Sequence, residues 1–277
     1  MTRTVRLNNG ISFPLIGLGV MYIEDGDVPA VMRQAVGMGY RSFDTAPIYG
    51  NEKGTGRGIR ECGLPRDQVQ VTTKLWNTRH GYDEALSAFD ESLEALGLDY
   101  VDVYMIHWPL PFRGLYADSW RALVRLQEEG RAKSIAVSNF LPDHLERIIG
   151  ETGVAPALNQ VELHAAWQQR PLREVHAKHS IVTEAWSPLG RGRIMQDDRL
   201  AAIAARAGCT PAQLVLAYLA GEDIVVIPKA SSQQHLQENI ESISITLDDQ
   251  TIAEMRALDR PDGRFGPDPQ VFDFTKT

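Results

Sequence analysis

The sequence predicts one α/β domain over residues 1–277, a (β/α)8 TIM barrel with an N-terminal β-hairpin and two extra helices. Three observations carry that prediction. Short apolar runs alternate with stretches of helical periodicity through almost the whole chain, as eight strand-then-helix units. No linker, internal repeat or composition break divides the 277 residues, a length that fits one large barrel as well as two ordinary domains. A doubly wound sheet would show G-x-G-x-x-G after its first strand, but here that strand ends Gly17-Leu18-Gly19 with no third glycine.

The elements follow in order. Residues 5–14 alternate around Asn9-Gly10, a hairpin turn signature. Strands are predicted at residues 15–19, 42–44, 69–74, 101–107, 132–138, 157–162, 181–186 and 224–227, where apolar runs end on turn or polar residues. Helical spacing fills 29–38, 82–96, 119–129, 142–149, 172–179, 211–220 and 233–240. Between the second and third strands, 51–60 reads as a weaker helix because it holds Gly54, Gly56 and Gly58. That glycine run follows a polar loop rather than a strand and lacks Gly-Lys-Ser/Thr, so it reads as a close-packed helix segment and not a phosphate loop. Segments 198–207 and 248–258 are the two helices outside the rhythm.

Composition narrows the function classes. The chain is 43% hydrophobic and 23% charged, ordinary for a globular protein, which argues against disorder and coiled coil. Its 28 basic and 36 acidic residues give a net charge of −8. Such a surface repels phosphate backbones and anionic bilayers, which argues against nucleic acid and membranes as partners, though a local basic pocket for one phosphate is allowed. Cys62 and Cys209 are too few for a disulfide framework and lie in no metal-type pair, as expected for thiols in a reducing cytosol. Arg3 and Arg6 are followed by no apolar signal core, and no run approaches the roughly 18 apolar residues of a membrane span. These features point to a soluble cytoplasmic protein.

In a (β/α)8 barrel the chemistry sits at the C-terminal ends of the strands. The second strand ends on Asp44, with Tyr49 in the loop after it; the third ends on Lys74 and the fourth on His107. An acid, a phenol, an amine and an imidazole thus reach one rim from three consecutive strands. This set suits carbonyl reduction, in which a developing alkoxide must take a proton. A phenol is a weak acid with a pKa of about 10. A neighbouring ammonium at Lys74 is expected to pull the Tyr49 pKa down toward working pH, with Asp44 holding the lysine and His107 orienting the carbonyl oxygen.

These residues stand in motifs that resemble the aldo-keto reductase family, most closely its bacterial branch of 2,5-diketo-D-gluconate reductases. The motifs are Gly39-Tyr40-Arg41, Asp44-Thr45-Ala46-Pro47-Ile48-Tyr49-Gly50-Asn51-Glu52, Thr73-Lys74-Leu75-Trp76, His107-Trp108-Pro109, and Ser134 through Phe140. Asn159-Gln160-Val161-Glu162, Trp186-Ser187-Pro188-Leu189 and Ile227-Pro228-Lys229 complete a series that spans nearly the whole chain in the family's order. The resemblance implies an NADPH-dependent carbonyl reductase, monomeric by family habit, with Asp44, Tyr49, Lys74 and His107 as its catalytic tetrad and Tyr49 as proton donor. It implies that Trp186 stacks on the nicotinamide and that Ser138, Asn139 and Gln160 bond its carboxamide. Ser187 and Leu189 resemble the residues that meet the pyrophosphate, Glu238 and Asn239 the adenine contacts, and Gly19, Val20 and Met21 the loop bordering cofactor and substrate.

The adenosine end departs from the family pattern. Lys229 remains, but Ala230 replaces a hydroxyl residue and His235 stands where the family commonly has an arginine to grip the 2′-phosphate. A largely neutral imidazole serves a phosphate less well than a guanidinium, so NADPH use with weakened discrimination against NADH is expected. His164-Ala165 stands where the branch usually shows His-Pro. Trp76, Trp108, Phe140 and Met21 are expected to wall the mouth above a polar floor at Tyr49 and His107. The short tail after Asp259 suggests a small closing loop and small or polar carbonyl substrates, namely small aldehydes, α-dicarbonyls or keto sugars. Two rival readings place different chemistry on the same barrel. One is a metal-dependent hydrolase using Glu162, His164, Glu184 and His107, although no H-x-H pair supports it and no metal is expected. The other is a nucleotide-binding regulatory protein without turnover, against which the intact tetrad argues.

Overall fold

The structure, a computed structural model, describes residues 3–274. Its centre is an eight-stranded parallel sheet whose strands lie side by side in chain order. These are β3 (Leu18–Gly19), β4 (Ser42–Asp44), β5 (Gln70–Leu75), β6 (Val101–Ile106), β7 (Ala132–Ser138), β8 (Leu158–Glu162), β9 (Val182–Trp186) and β10 (Val225–Val226). Parallel bridges from Ile16 to Val226 and from Gly19 to Lys229 join the two edges and close the barrel. The predicted first and eighth strands are therefore present but shorter in ladder than in apolar run. The other six agree with the sequence reading to within one residue at each end.

The hairpin of β1 (Thr4–Arg6) and β2 (Ser12–Pro14) turns at Gly10, whose φ of +87° favours glycine. Asn8 donates to the Pro156 carbonyl and Asn9 to the Lys133 carbonyl and Ser134 Oγ, which fastens the hairpin under the start of β7 and β8. Beneath it Leu7, Phe13 and Leu15 form one buried cluster with Val103, Met105, Ala136, Leu158 and Val225. This apolar plug fills the barrel bottom, leaving the opposite rim for polar groups.

Helices α1 (Val28–Met38), α2 (Glu52–Glu61), α3 (Tyr82–Leu96), α4 (Tyr116–Glu128), α5 (Pro142–Thr152) and α6 (Arg170–Lys178) each follow one strand. The seventh unit holds α7 (Asp198–Arg206) before α8 (Pro211–Gly221), and α9 (Gln233–Ser242) follows β10. Helix α10 (Asp249–Arg256) is the second extra helix. The glycines of α2 are explained by packing. A Cβ at Gly54 would strike the Asp25 backbone, one at Gly56 the Leu96 carbonyl, and one at Gly58 would sit 2.5 Å from Met32 Sδ. The run lets α2 press between the loop before α1, α1 itself and the end of α3.

After α10 the chain runs back across the rim. The Phe265 and Gly266 amides donate to the two carboxylate oxygens of Glu162 at 2.6 and 2.7 Å. Farther on, Phe272 packs on Trp108 with ring centroids 4.2 Å apart, and Phe274 meets Trp76 edge-on at 5.8 Å. Among the described residues no single helix is long and apolar enough to cross a membrane.

Candidate active site

The loop after β4 is built to be rigid. Asn51 accepts from the Thr45 hydroxyl at 2.8 Å and donates to the carbonyls of Val20 and Ile23 at 2.9 and 3.0 Å, stapling the loops after β3 and β4 together. Glu52, buried, accepts from Thr73 Oγ1 at 2.6 Å and ties the same loop to β5 beside Lys74. Between these anchors Pro47 starts a single 3₁₀ turn that ends on Tyr49, and Gly50 leaves it at φ +70°. The turn aims the Tyr49 ring at the barrel axis.

There the four predicted groups meet. Lys74, 0% exposed, donates to Asp44 Oδ1 at 2.5 Å and to the Thr45 carbonyl at 2.9 Å. Its ammonium lies 5.2 Å from the centre of the Tyr49 ring. Tyr49 and His107 stand edge to face, centroids 5.9 Å apart and planes at 82°, and Trp76 meets His107 at 5.1 Å. Asp44, on a strand end, pairs with Gly19 of β3, and the Val20 amide donates to its carbonyl at 3.0 Å.

Burial sets the protonation states. It would push Lys74 down, but the Asp44 carboxylate, the nearby Tyr49 oxygen and the hydrogen bond to Asp44 hold it above the usual lysine range. His107 is held well below its ordinary value, first by burial and then by the Lys74 charge, so it is a neutral imidazole. For Tyr49 the structure corrects the sequence expectation. Burial outweighs the pull of Lys74 and leaves the phenol above its ordinary value, with Asp44 adding to the rise. The lysine limits the increase rather than producing a net decrease. Tyr49 consequently keeps its proton through the physiological range.

A second group of predicted residues gathers at the ends of β7, β8 and β9. Trp186 Nε1 donates to Asn139 Oδ1 at 2.8 Å, while Asn139 Nδ2 donates to the His107 carbonyl and to Ser138 Oγ. The Ser138 hydroxyl donates to the Gln160 carbonyl at 2.8 Å. Gln160 reaches across the barrel to Asp44 Oδ2 at 2.9 Å, a link that joins the two groups. Asn139 and Ser187, each just past a strand end, have φ of +63° and +49°. Backbone strain of this kind collects at functional sites. Trp186 is only half-buried, with the Arg191 guanidinium 5.7 Å from its ring centre, and Leu189 is likewise half-buried.

The remaining predicted positions lie along the rim. Lys229 is exposed and bonds Ser231 Oγ at 3.2 Å, Ala230 is buried, and His235 is exposed in the first turn of α9, where Ser232 caps its amide. Glu238 accepts from Thr210 Oγ1 at 2.5 Å, and Asn239 is buried. Met21 is exposed, whereas Val20 is fully buried in the core and offers the site only backbone.

Phe140 is a correction. The sequence pattern puts it at the mouth, but its ring is buried against Tyr116 of α4 and His144 of α5. The left-handed turn at Asn139 sends the following side chain outward into the helix layer. Trp76 and Trp108 do stand at the mouth, capped by Phe274 and Phe272, which the sequence reading missed; two aromatics in a polar tail were the available signal. Glu162 and His164, candidates for a metal, bond each other at 3.2 Å, and Glu162 is taken by the tail amides. His164 stacks on Phe265 with centroids 4.7 Å apart. Among the described residues no three His, Cys, Asp or Glu side chains are grouped to hold a metal ion.

Comparison with known proteins agrees with this geometry. The model of the aldo/keto reductase family matches residues 15–260. An aldo-keto reductase of Mycobacterium sp. strain JLS is 45% identical over 271 residues, covering 98% of this chain and 98% of its own. The methylglyoxal reductase DkgA of Escherichia coli O157:H7 is 40% identical, with 97% of each chain covered. A crystal structure of a Gox0644 mutant in complex with NADPH superposes with a TM-score of 0.95 at 43% identity, covering 99% of this chain and 100% of that one.

Proposed function

The chain belongs to the aldo/keto reductase family, an NADPH-dependent group of oxidoreductases, and on that premise we propose that Asp44, Tyr49, Lys74 and His107 carry out its carbonyl reduction. NADPH supplies the hydride. The residues present fit that cofactor: a half-buried indole held by Asn139 stands at one end, and an exposed lysine, Lys229, at the other.

The roles follow from the protonation states. Tyr49, a neutral phenol, donates its proton to the carbonyl oxygen as negative charge grows there. The Lys74 ammonium beside it stabilises the phenolate left behind, and Asp44 keeps that ammonium charged and in place. His107, neutral, orients the carbonyl oxygen by hydrogen bond. Trp186, Ser187 and Leu189 hold the nicotinamide and pyrophosphate ends, with Ser138, Asn139 and Gln160 arranging the carboxamide contact. Asn139 and Ser138 act largely through each other, since most of their hydrogen-bonding capacity is already used within the chain. Lys229, Ala230, His235, Glu238 and Asn239 form the adenosine end.

The observation that carries the reading is the buried Asp44–Lys74 pair set beneath the Tyr49 ring and His107. The substrate class is small aldehydes and α-dicarbonyls of the methylglyoxal kind, or keto sugars, admitted between Trp76 and Trp108. We place the protein in the cytoplasm as a single-domain monomer. An assay at 340 nm with NADPH and NADH in parallel against small aldehydes, α-dicarbonyls and keto sugars tests this. Oxidation of NADPH by at least one class, with NADH accepted within about two powers of ten, is the expected result. Binding of nucleotide without turnover across the panel would favour the regulatory reading instead.

A further inference from the structure

Glu184 lies on β9 two residues below Trp186, outside the four-residue constellation, and is 1% exposed. Side chains alternate along a strand, so Glu184 shares the interior face with Trp186 while Thr183 points outward to His176 of α6. Its partner in register is Gln160 of β8. The Gln160 amide nitrogen donates to Glu184 Oε2 at 3.0 Å and to Asp44 Oδ2 at 2.9 Å, and Lys74 takes the other Asp44 oxygen. A hydrogen-bonded chain thus runs from Glu184 through Gln160 and Asp44 to Lys74, crossing the barrel from β9 to β5.

The charged groups facing Glu184 are Asp44 on β4 and Lys74 on β5. Two carboxyl groups share one ammonium in a dry interior. Burial, and then the Asp44 charge, push Glu184 up to about 8 against the opposing effects of Gln160 and Lys74. Tyr49 and Lys74 titrate above their ordinary values and His107 far below its own. Of these groups, Glu184 is the one that changes charge between pH 7 and 9.

We propose that Glu184 is a positioning residue that clamps Gln160 and, when ionised, places a negative charge beneath the nicotinamide that favours the oxidised cofactor over the reduced one. The proposal rests on the reading of Trp186 as the nicotinamide platform. Oxidised nicotinamide carries a positive ring charge and the reduced ring is neutral, so a carboxylate below them separates the two forms by that charge alone. With an effective dielectric of about 20, a unit charge roughly 10 Å from the ring is worth about tenfold in affinity or more. The sign follows from linkage. The positive ring lowers the Glu184 pKa in the complex, so NADP+ binds more tightly as pH rises toward about 8 and levels off above it, while NADPH does not follow.

Tryptophan fluorescence quenching gives both dissociation constants without turnover. NADP+ and NADPH are titrated from pH 6.5 to 9 into the wild-type protein and Glu184→Gln, which keeps an acceptor for Gln160 but cannot ionise. Taking the NADP+/NADPH ratio cancels the titration of the nucleotide's own phosphate. The wild-type ratio is expected to fall about tenfold across the range, and the variant's to stay flat at the wild-type low-pH value. A flat wild-type ratio overturns the inference even if the variant does not fold, and so does a variant ratio that still falls like the wild type's. Wild-type protein that binds neither nucleotide overturns the underlying reading of the site as well.

Discussion

The two ends of the proposed cofactor site are built on different physics. At the barrel axis, Asp44, Lys74, Gln160 and Glu184 are all buried, and each is held by a hydrogen bond of 3.0 Å or less. At the proposed adenosine rim, Lys229 and His235 are exposed, and the Lys229 ammonium bonds Ser231 of its own loop. In the interior, desolvation makes each charge depend on its neighbours, so one substitution disturbs several groups. At the rim, water screens each charge, and a substitution changes one contact by a modest amount. Chemistry is therefore expected to be brittle and cofactor preference soft.

The strongest way to break this contrast is Lys74→Met. It removes the lone ammonium among two buried carboxyl groups, and breaking a buried pair costs about 3–5 kcal/mol. Denaturant unfolding should show that loss, together with abolished turnover; a variant as stable as wild type would mean the interior is wetter than the burial implies. Next comes Glu184→Gln as a stability probe. A carboxyl whose folded pKa is about 8 gives stability that is fully present below its unfolded value near 4.5 and is lost as pH rises from there to about 8. The variant should match or trail wild type at pH 4.5 and melt several degrees above it at pH 8. Equal melting points at both pH values would contradict the raised pKa.

Smaller effects belong to the rim. Phe274→Ala removes the edge contact with Trp76, and such aromatic pairs are worth about 0.5–1.5 kcal/mol. It should raise KM a few-fold with kcat unchanged, and a fall in kcat would place the tail in the chemistry itself. His235→Arg adds a fixed charge at an exposed position, where an ion pair is worth up to about 1 kcal/mol. NADPH should bind up to about fivefold more tightly and NADH unchanged; tightening of both would show that the site does not read the 2′-phosphate.

Much of this was legible beforehand where pattern is local. Strand Ala132–Ser138 and helix Tyr82–Leu96 match their predicted bounds because their apolar spacing is uninterrupted. The four central groups could be placed together because strand ends in a barrel share one rim. The failures have local physical causes. A left-handed residue at Asn139 reverses the facing of Phe140, and periodicity does not register one such turn. The Tyr49 pKa depends on how deeply its hydroxyl is covered, which no residue pattern states. The pairing of Phe272 and Phe274 with Trp108 and Trp76 joins positions more than 160 residues apart, and only the path of the tail, fixed by Glu162, brings them together.

The central claim is that Tyr49 gives up the proton in a site pre-arranged by Asp44 and Lys74. Tyr49→Phe keeps the ring and removes the hydroxyl. Single-turnover oxidation of NADPH with methylglyoxal, alongside fluorescence titration of NADPH, separates chemistry from binding. The expected result is unchanged NADPH affinity with hydride transfer slowed by about 10²–10⁴-fold, the usual cost of losing a general acid. A near-normal rate with intact binding would contradict the assignment and move the proton donor elsewhere in the site.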